Sequence, residues 1–212
     1  IAPCSLPVSD NMTLTIVNTP SANAGLDGST CETTAFTVSS ATAANYSTIN
    51  WTTTGTGILS NSGTLTPSYL PSHNDALAGT VTLTLTASGT APCSVAATDM
   101  MQIAVTPTPI VSAGVNFSVC GDNSFIVPGA SAQYSSGLAW TSSGTGVLVN
   151  ANQINPTYTP SAADVANGQV TLTLTATGNA PCVAPVSSAV LVTINQIPVV
   201  FAGNDITICE GP

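Results

Sequence analysis

Residues 170–176 read Val170-Thr-Leu-Thr-Leu-Thr-Ala176. Successive side chains of a strand point to opposite faces. Val170, Leu172, Leu174 and Ala176 therefore share one face, and Thr171, Thr173 and Thr175 share the other. That alternation describes a strand with one face in a core and one in solvent. The phrase TLTLTA occurs at 171–176 and again at 82–87, an offset of 89 residues. Moving outward, Trp51 and Trp140, Tyr69 and Tyr158, Asp75 and Asp164, and Gly79 and Gly168 keep the same offset. So do the cysteines: Cys4, Cys31, Cys93, Cys120, Cys182 and Cys209 are separated by 27, 62, 27, 62 and 27 positions. Laid over one another without a gap, 21–109 and 110–198 agree at 34 of 89 positions, which marks a tandem duplication.

The register sets the organisation. Residues 1–20 match 90–109 and 179–198, and read as the C-terminal strand of a preceding repeat. Residues 21–109 and 110–198 are two complete repeats. Residues 199–212 match 110–123 and open a following one. Pro20, Pro109 and Pro198 mark the junctions, with very short linkers.

In the second repeat, apolar or alternating runs fall at 110–120, 124–130, 138–143, 146–149, 154–159, 169–176 and 183–195. No helical 3.6-residue period is legible anywhere in the chain. About seven short strands with turn signals at this spacing predict an all-β chain of tandem immunoglobulin-like β-sandwiches. Trp140 and Leu138 are expected in the core, with Tyr158 near the turn that follows. The segment from Pro160 to Gly168 carries helical-turn and stop signals. It reads as a capped turn in which Ser161 or Asp164 accepts from free backbone N–H groups.

Composition narrows function. The chain has no Lys and no Arg, nine Asp and Glu, one His, and a formal net charge of −9. A chain of this length ordinarily carries on the order of 20 basic residues. Without them, phosphate-backbone recognition of nucleic acid is excluded, and an anionic membrane surface repels the chain. Schiff-base chemistry and isopeptide crosslinks through Lys are excluded too. With 33 Thr and 24 Ser among 212 residues, the material is β-rich. Its 43% hydrophobic content is too high for a disordered tail.

Candidate chemistry is sparse. His73 is the single histidine, and its counterpart is Ala162. A Ser–His–Asp site would then belong to one repeat alone, so His73 reads as an exposed turn residue. Asp75 and Asp164 read as caps, not acids. The other acids, among them Asp27, Glu32, Asp99, Asp122, Asp205 and Glu210, are scattered. Glu32 and Asp122, each just after the first cysteine of a repeat, give the one hint of a loop cation site. No CxxC pair supports zinc. No catalytic residue, cofactor or metal site is therefore expected, and the chain does not read as an enzyme. One TLTLT strand per repeat is too little surface for an ice-binding array.

Two cysteines per repeat outside any CxxC, in a chain of secreted character, imply disulfides. Three pairings stay open: Cys31 with Cys93 and Cys120 with Cys182 within repeats; Cys31 with Cys182 across a junction, Cys93 then joining the preceding repeat; or bonds between chains. Strand geometry leans toward the junction. The first cysteine ends a strand at one pole of a sandwich and the second lies at the other pole, further apart than a bridge spans.

The phrases WTTTGTGILSNSGTLTPSYLPS (51–72), WTSSGTGVLVNANQINPTYTPSAADVANGQVTLTLTATGNAPC (140–182) and AGNDITIC (202–209) resemble repeats of giant surface proteins of the Bacteroidota. These are Ig-like or PKD-like modules of type IX-secreted adhesins, gliding adhesins and grappling-hook filaments. The chain departs from PKD modules in carrying less charge. The resemblance implies an extracellular or cell-surface structural module that extends a filament or stalk. Its partners would be neighbouring repeats and other copies in a multi-chain fibre, with no nucleic acid and no direct membrane contact. A glycan- or surface-binding adhesin module, or an accessory domain of a secreted enzyme, is the alternative.

Overall fold

The computed structural model describes residues 7–211. The chain divides into two units, Ile1–Thr106 and Pro107–Pro212. Cys4 lies outside the described residues.

Unit 1 contains β1 (Ser21–Asn23), β2 (Gly28–Cys31), β3 (Phe36–Thr37), β4 (Thr42–Ala44), β5 (Tyr46–Thr53), β6 (Ile58–Ser60), β7 (Ser68–Leu70), α1 (His73–Ala78), β8 (Thr80–Gly89) and β9 (Ala97–Thr106). One sheet runs β2-β9-β8-β5; facing it are β3-β7-β6 and the pair β1-β4. Unit 2 has the same order: β10 (Ile110–Ser112), β11 (Phe117–Cys120), β12 (Phe125–Ile126), β13 (Ser131–Gln133), β14 (Ser135–Ser142), β15 (Val147–Val149), β16 (Thr157–Thr159), α2 (Ala162–Asn167), β17 (Gln169–Gly178) and β18 (Val186–Asn195). The all-β sandwich read from the sequence is the fold observed. Its first two strands are each broken into two pieces, such as β1/β2 and β3/β4.

The alternating run becomes the middle of the larger sheet. β17 pairs antiparallel with β14 and β18, with Trp140 opposite Leu174. Val170, Leu172, Leu174 and Ala176 are fully buried, and the threonines between them are not. Trp140, Tyr158, Val190, Val192 and Ile194 complete that core. Trp51, Tyr69, Leu83, Leu85, Met101 and Ile103 form its counterpart in unit 1. Each fully buried aliphatic or aromatic side chain stabilises by about 1.5–3 kcal/mol.

The first strand changes sheets. β1 pairs antiparallel with β4, whereas β2 pairs parallel with β9. The crossover turns at Gly25, with φ +93°, where an added Cβ would strike the Ser40 hydroxyl. Two carboxylates pin it to β9. Asp99 accepts from Ala24 N at 2.7 Å, and Asp27 accepts from Gln102 N at 2.7 Å. Unit 2 keeps the geometry with neutral side chains: Ser188 accepts from Ala113 N at 3.1 Å, and Asn116 from Leu191 N at 2.9 Å.

The capped turn read from Pro160 to Gly168 is in fact a short helix, a correction that applies to both units. Its six residues make fewer than two turns, too few to show a period. Ser72 and Ser161 occupy the N-cap in a full capping box, and Gly79 and Gly168 end the helices in the left-handed conformation. Among the described residues no helix is long and apolar enough to cross a membrane.

Candidate functional site

The chemistry-bearing residues of each unit gather beside the short helix. In unit 1, Tyr69 on β7 donates its hydroxyl proton to Asp75 Oδ2 at 2.6 Å. The same oxygen accepts from Ser72 N at 2.8 Å. Oδ1 accepts from Thr56 N at 2.8 Å and from Thr56 Oγ1 at 3.3 Å. The Tyr69 oxygen in turn accepts from Gly57 N at 2.9 Å. Unit 2 repeats the set. Tyr158 donates to Asp164 at 2.7 Å, Ser161 N and Thr145 N donate to its carboxylate at 2.9 and 3.0 Å, and Gly146 N donates to Tyr158 at 3.0 Å.

Both aspartates are buried. Burial pushes the Asp75 carboxyl up, but hydrogen bonds from Ser72, Tyr69 and Thr56 outweigh it and hold the group at about 2 against an ordinary 3.8. Asp164 is lowered by the same balance of burial against hydrogen bonds from Ser161, Tyr158 and Thr145. Burial, together with the adjoining carboxylate, raises both phenols. A carboxylate held ionised with both oxygens occupied is a poor proton donor, and a raised phenol is a poor nucleophile. The cluster ties the β5–β6 loop to β7 and α1.

The cluster also explains the TGTG phrase. A Cβ at Gly55 would strike the Tyr69 hydroxyl, and one at Gly57 would strike the Leu70 carbonyl. Gly144 and Gly146 are hemmed in likewise by Asp164 and the Thr159 carbonyl. Sequence reasoning identified the aspartates as caps but missed their bond to tyrosine and the role of these glycines. The available signal was the joint repetition of glycines, tyrosine, serine and aspartate at fixed spacing.

The other candidates scatter. His73, the first residue of α1, is exposed and places Nδ1 2.9 Å from Glu32 Oε2. Asp27 and Asp99 serve the strand crossover. Asp122 borders a shallow hollow of about 380 Å³ with Gly121, Pro160 and Ile197, and no second acid lines it. Asp205 and Glu210 are exposed. Among the described residues no three His, Cys, Asp or Glu side chains converge as a metal ion would need.

Cys31 and Cys182 are both disulfide-bonded. Cys93, Cys120 and Cys209 are free thiols. Neither within-repeat pair, Cys31 with Cys93 or Cys120 with Cys182, is therefore formed. The reason is geometric: Cys31 lies opposite Thr106 at the end of β9, while Cys93 precedes its start. About 30 Å of strand separates them, against the 4.4–6.8 Å between Cα atoms that a bridge needs.

Comparison with solved structures points to one class of fold. The chain is similar to extracellular domains 1–4 of Drosophila N-cadherin, with a TM-score of 0.56 and 15% identity over 85% of this chain and 50% of that one. It is similar also to domains 3–6 of protocadherin gamma B2, with a TM-score of 0.50 and 18% identity over 85% and 47%. The chain spans about half the length of these cadherin fragments. No protein-family model and no curated protein sequence matches it. At these identities the likeness shows an Ig-like β-sandwich fold, and the fold alone.

Proposed function

We propose that the chain is a structural module of a long secreted or cell-surface filament, extending an adhesive or grappling fibre of the type IX-secreted kind. The supporting observation is that one sandwich, with one Tyr–Asp–Ser cluster, is built at matched positions 89 residues apart. Conserving an internal brace while surface residues diverge suits a spacer whose job is to hold its length. Loops that diverge suit a shared ligand poorly. The similarity to extracellular cadherin repeats accords with this reading, as does the lack of trypsin sites in a chain exposed to proteases. On this reading the partners are neighbouring repeats and further copies in a bundle, and the module catalyses nothing.

Antibodies against the 212-residue chain test the proposal by immunogold labelling of the cells that make it. Label at regular intervals along extracellular fibres is expected. Label confined to dispersed secreted material or to the cell interior would overturn it. Specific retention of the isolated chain on a glycan array, with no labelled fibres, would favour the binding-module alternative.

A further inference from the structure

We propose that Asn167 is a site of spontaneous covalent modification, closed while α2 keeps its C-cap and opened when the helix frays. The proposal rests on unit 2 alone and holds whether or not the chain builds a filament.

Asn167 and Gly168 form the single Asn–Gly step in the 212 residues. In such a step the glycine backbone nitrogen can attack the asparagine side-chain carbonyl carbon, because glycine has no Cβ to block the approach. The new bond from that nitrogen to Cγ closes a succinimide ring. The Cγ–Nδ2 bond breaks, and Nδ2 leaves as ammonia with the proton given up by the glycine nitrogen. Solvent water then opens the ring. Cleavage between the ring nitrogen and Cγ gives aspartate, and cleavage between the ring nitrogen and the main-chain carbonyl carbon gives isoaspartate. No oxidant, reductant or cofactor enters.

The structure exposes the electrophile and holds back the nucleophile. Asn167 is the last residue of α2 and is exposed. It lines a polar hollow of about 330 Å³ with Ser143, Gly144, Asp164 and Thr171, so water reaches its amide. Gly168 is the C-cap, with φ +73°. Its N–H donates to the Asp164 carbonyl at 3.0 Å and to the Val165 carbonyl at 3.3 Å. The attacking nitrogen must turn away from both carbonyls and shed its proton before the ring can close. The helical backbone of Asn167 must rotate as well, to carry that nitrogen over Cγ. The cap therefore acts as a gate. A helix of six residues has few internal bonds to lose, and helix ends open at low cost. Unit 1 keeps the gate without the reactive group: Ala78 precedes Gly79, whose N–H donates to the Asp75 carbonyl at 2.9 Å.

The reaction strikes a joint that is anchored on both sides. The Gly168 N–H ties back to α2, and the Gly168 carbonyl accepts from Ile194 N on β18 at 2.8 Å. Gln169 then opens β17. Isoaspartate routes the main chain through Cβ and Cγ, adding one carbon atom between these anchors. Both cannot then be kept, and the α2 end of the Tyr158–Asp164 brace loosens. Plain aspartate leaves the backbone length unchanged. It sets a negative charge at the negative end of the helix, a milder change.

The test incubates the 212-residue chain at mildly alkaline pH, folded in buffer and unfolded in urea. Chymotryptic peptide mapping by mass spectrometry follows the exchange of NH₂ for OH at Asn167, and a protein-isoaspartate methyltransferase labels the isoaspartate. In urea Asn167 should react faster than Asn61 or any other asparagine. In the folded chain it should react at least about tenfold more slowly than in urea. Ser161→Ala, which removes the N-cap, should speed the folded-state reaction several-fold, with circular dichroism showing that the sandwich is kept. Ala78→Asn copies the step to the end of α1 and should create a second site with the same protection. Chain enriched in isoaspartate at 167 should unfold at lower urea when read by Trp140 in a Trp51→Phe background. Equal rates in folded and unfolded chain, or an unchanged rate in folded Ser161→Ala, would refute the gate. Reaction at Asn167 no faster than at Asn61 in urea would refute the site.

Discussion

Replacing Asp75 by Asn perturbs the brace of unit 1 without changing its size. The carboxylate accepts from Tyr69, from Ser72 N, and twice from Thr56. An amide has one oxygen, so whichever way it turns, its NH₂ faces a backbone N–H, of Ser72 or of Thr56. A charge-assisted hydrogen bond worth about 1.5–3 kcal/mol is lost, and a buried N–H is left unpaired at about 1–3 kcal/mol. These terms overlap, so a loss of about 3 kcal/mol at pH 7 is expected.

The loss should depend on pH. The folded-state carboxyl is held at about 2 against 3.8, and each pH unit of such a difference is worth about 1.4 kcal/mol. Because the folded value is depressed, this stability is fully present above about pH 4 and disappears as pH falls through 2. The gap between wild type and Asp75→Asn should thus narrow by about 2 kcal/mol from pH 5 to pH 2. Urea unfolding in a Trp140→Phe background isolates unit 1, because Trp51 is then the sole indole. Equal stabilities at pH 7 within about 0.5 kcal/mol, or a loss unchanged at pH 2, would refute the reasoning.

Gly57→Ala drives a methyl against the Leu70 carbonyl and should cost at least about 2 kcal/mol in the same assay, more than Gly63→Ala, which meets open space. The reduced, urea-unfolded chain should stay full-length on a gel after trypsin, because it contains no Lys or Arg, while chymotrypsin should fragment it. Raising NaCl from about 0.05 to 1 M should not lower the midpoint, because stability here does not rest on screened ion pairs.

The sandwich was legible because its central strand alternates cleanly over seven residues, from Val170 to Ala176, and because Trp51 and Trp140 keep register with it. Other elements were too short to be read. β3 and β12 have two residues each, below what an alternation can show, and β4 and β13 follow them after a break. The helices were legible only as caps, since Ser72 and Ser161 signal a start without signalling a length. The Tyr–Asp bond was hidden for another reason. Its partners lie six positions apart, the glycine loop lies a further twelve away, and only the folded chain brings the three together. Glu32 misled because its position after a cysteine suggested a loop cation site, whereas it faces His73 from across the fold.

The absence of Lys and Arg explains why the brace takes this form. A buried carboxylate is ordinarily neutralised by a cation, and neither Asp75 nor Asp164 has access to a Lys or Arg. Each is held ionised instead by neutral donors, among them a phenol, a serine N–H at a helix start and a threonine N–H. These bonds act over a single hydrogen-bond length, so added salt screens them little, whereas a surface ion pair weakens across the Debye length. They also bring the loops that carry Thr56 and Thr145 against the cluster, where a Cβ at Gly55 or Gly144 would strike the Tyr69 hydroxyl or the Asp164 carboxylate and one at Gly57 or Gly146 would strike the Leu70 or Thr159 carbonyl. The missing cations and the repeated TGTG phrase are thus two sides of one solution. A chain without Lys or Arg stabilises its interior carboxylates with backbone N–H groups of serine and threonine, and the glycines on either side of Thr56 and Thr145 leave room for that loop to lie against the tyrosine and aspartate.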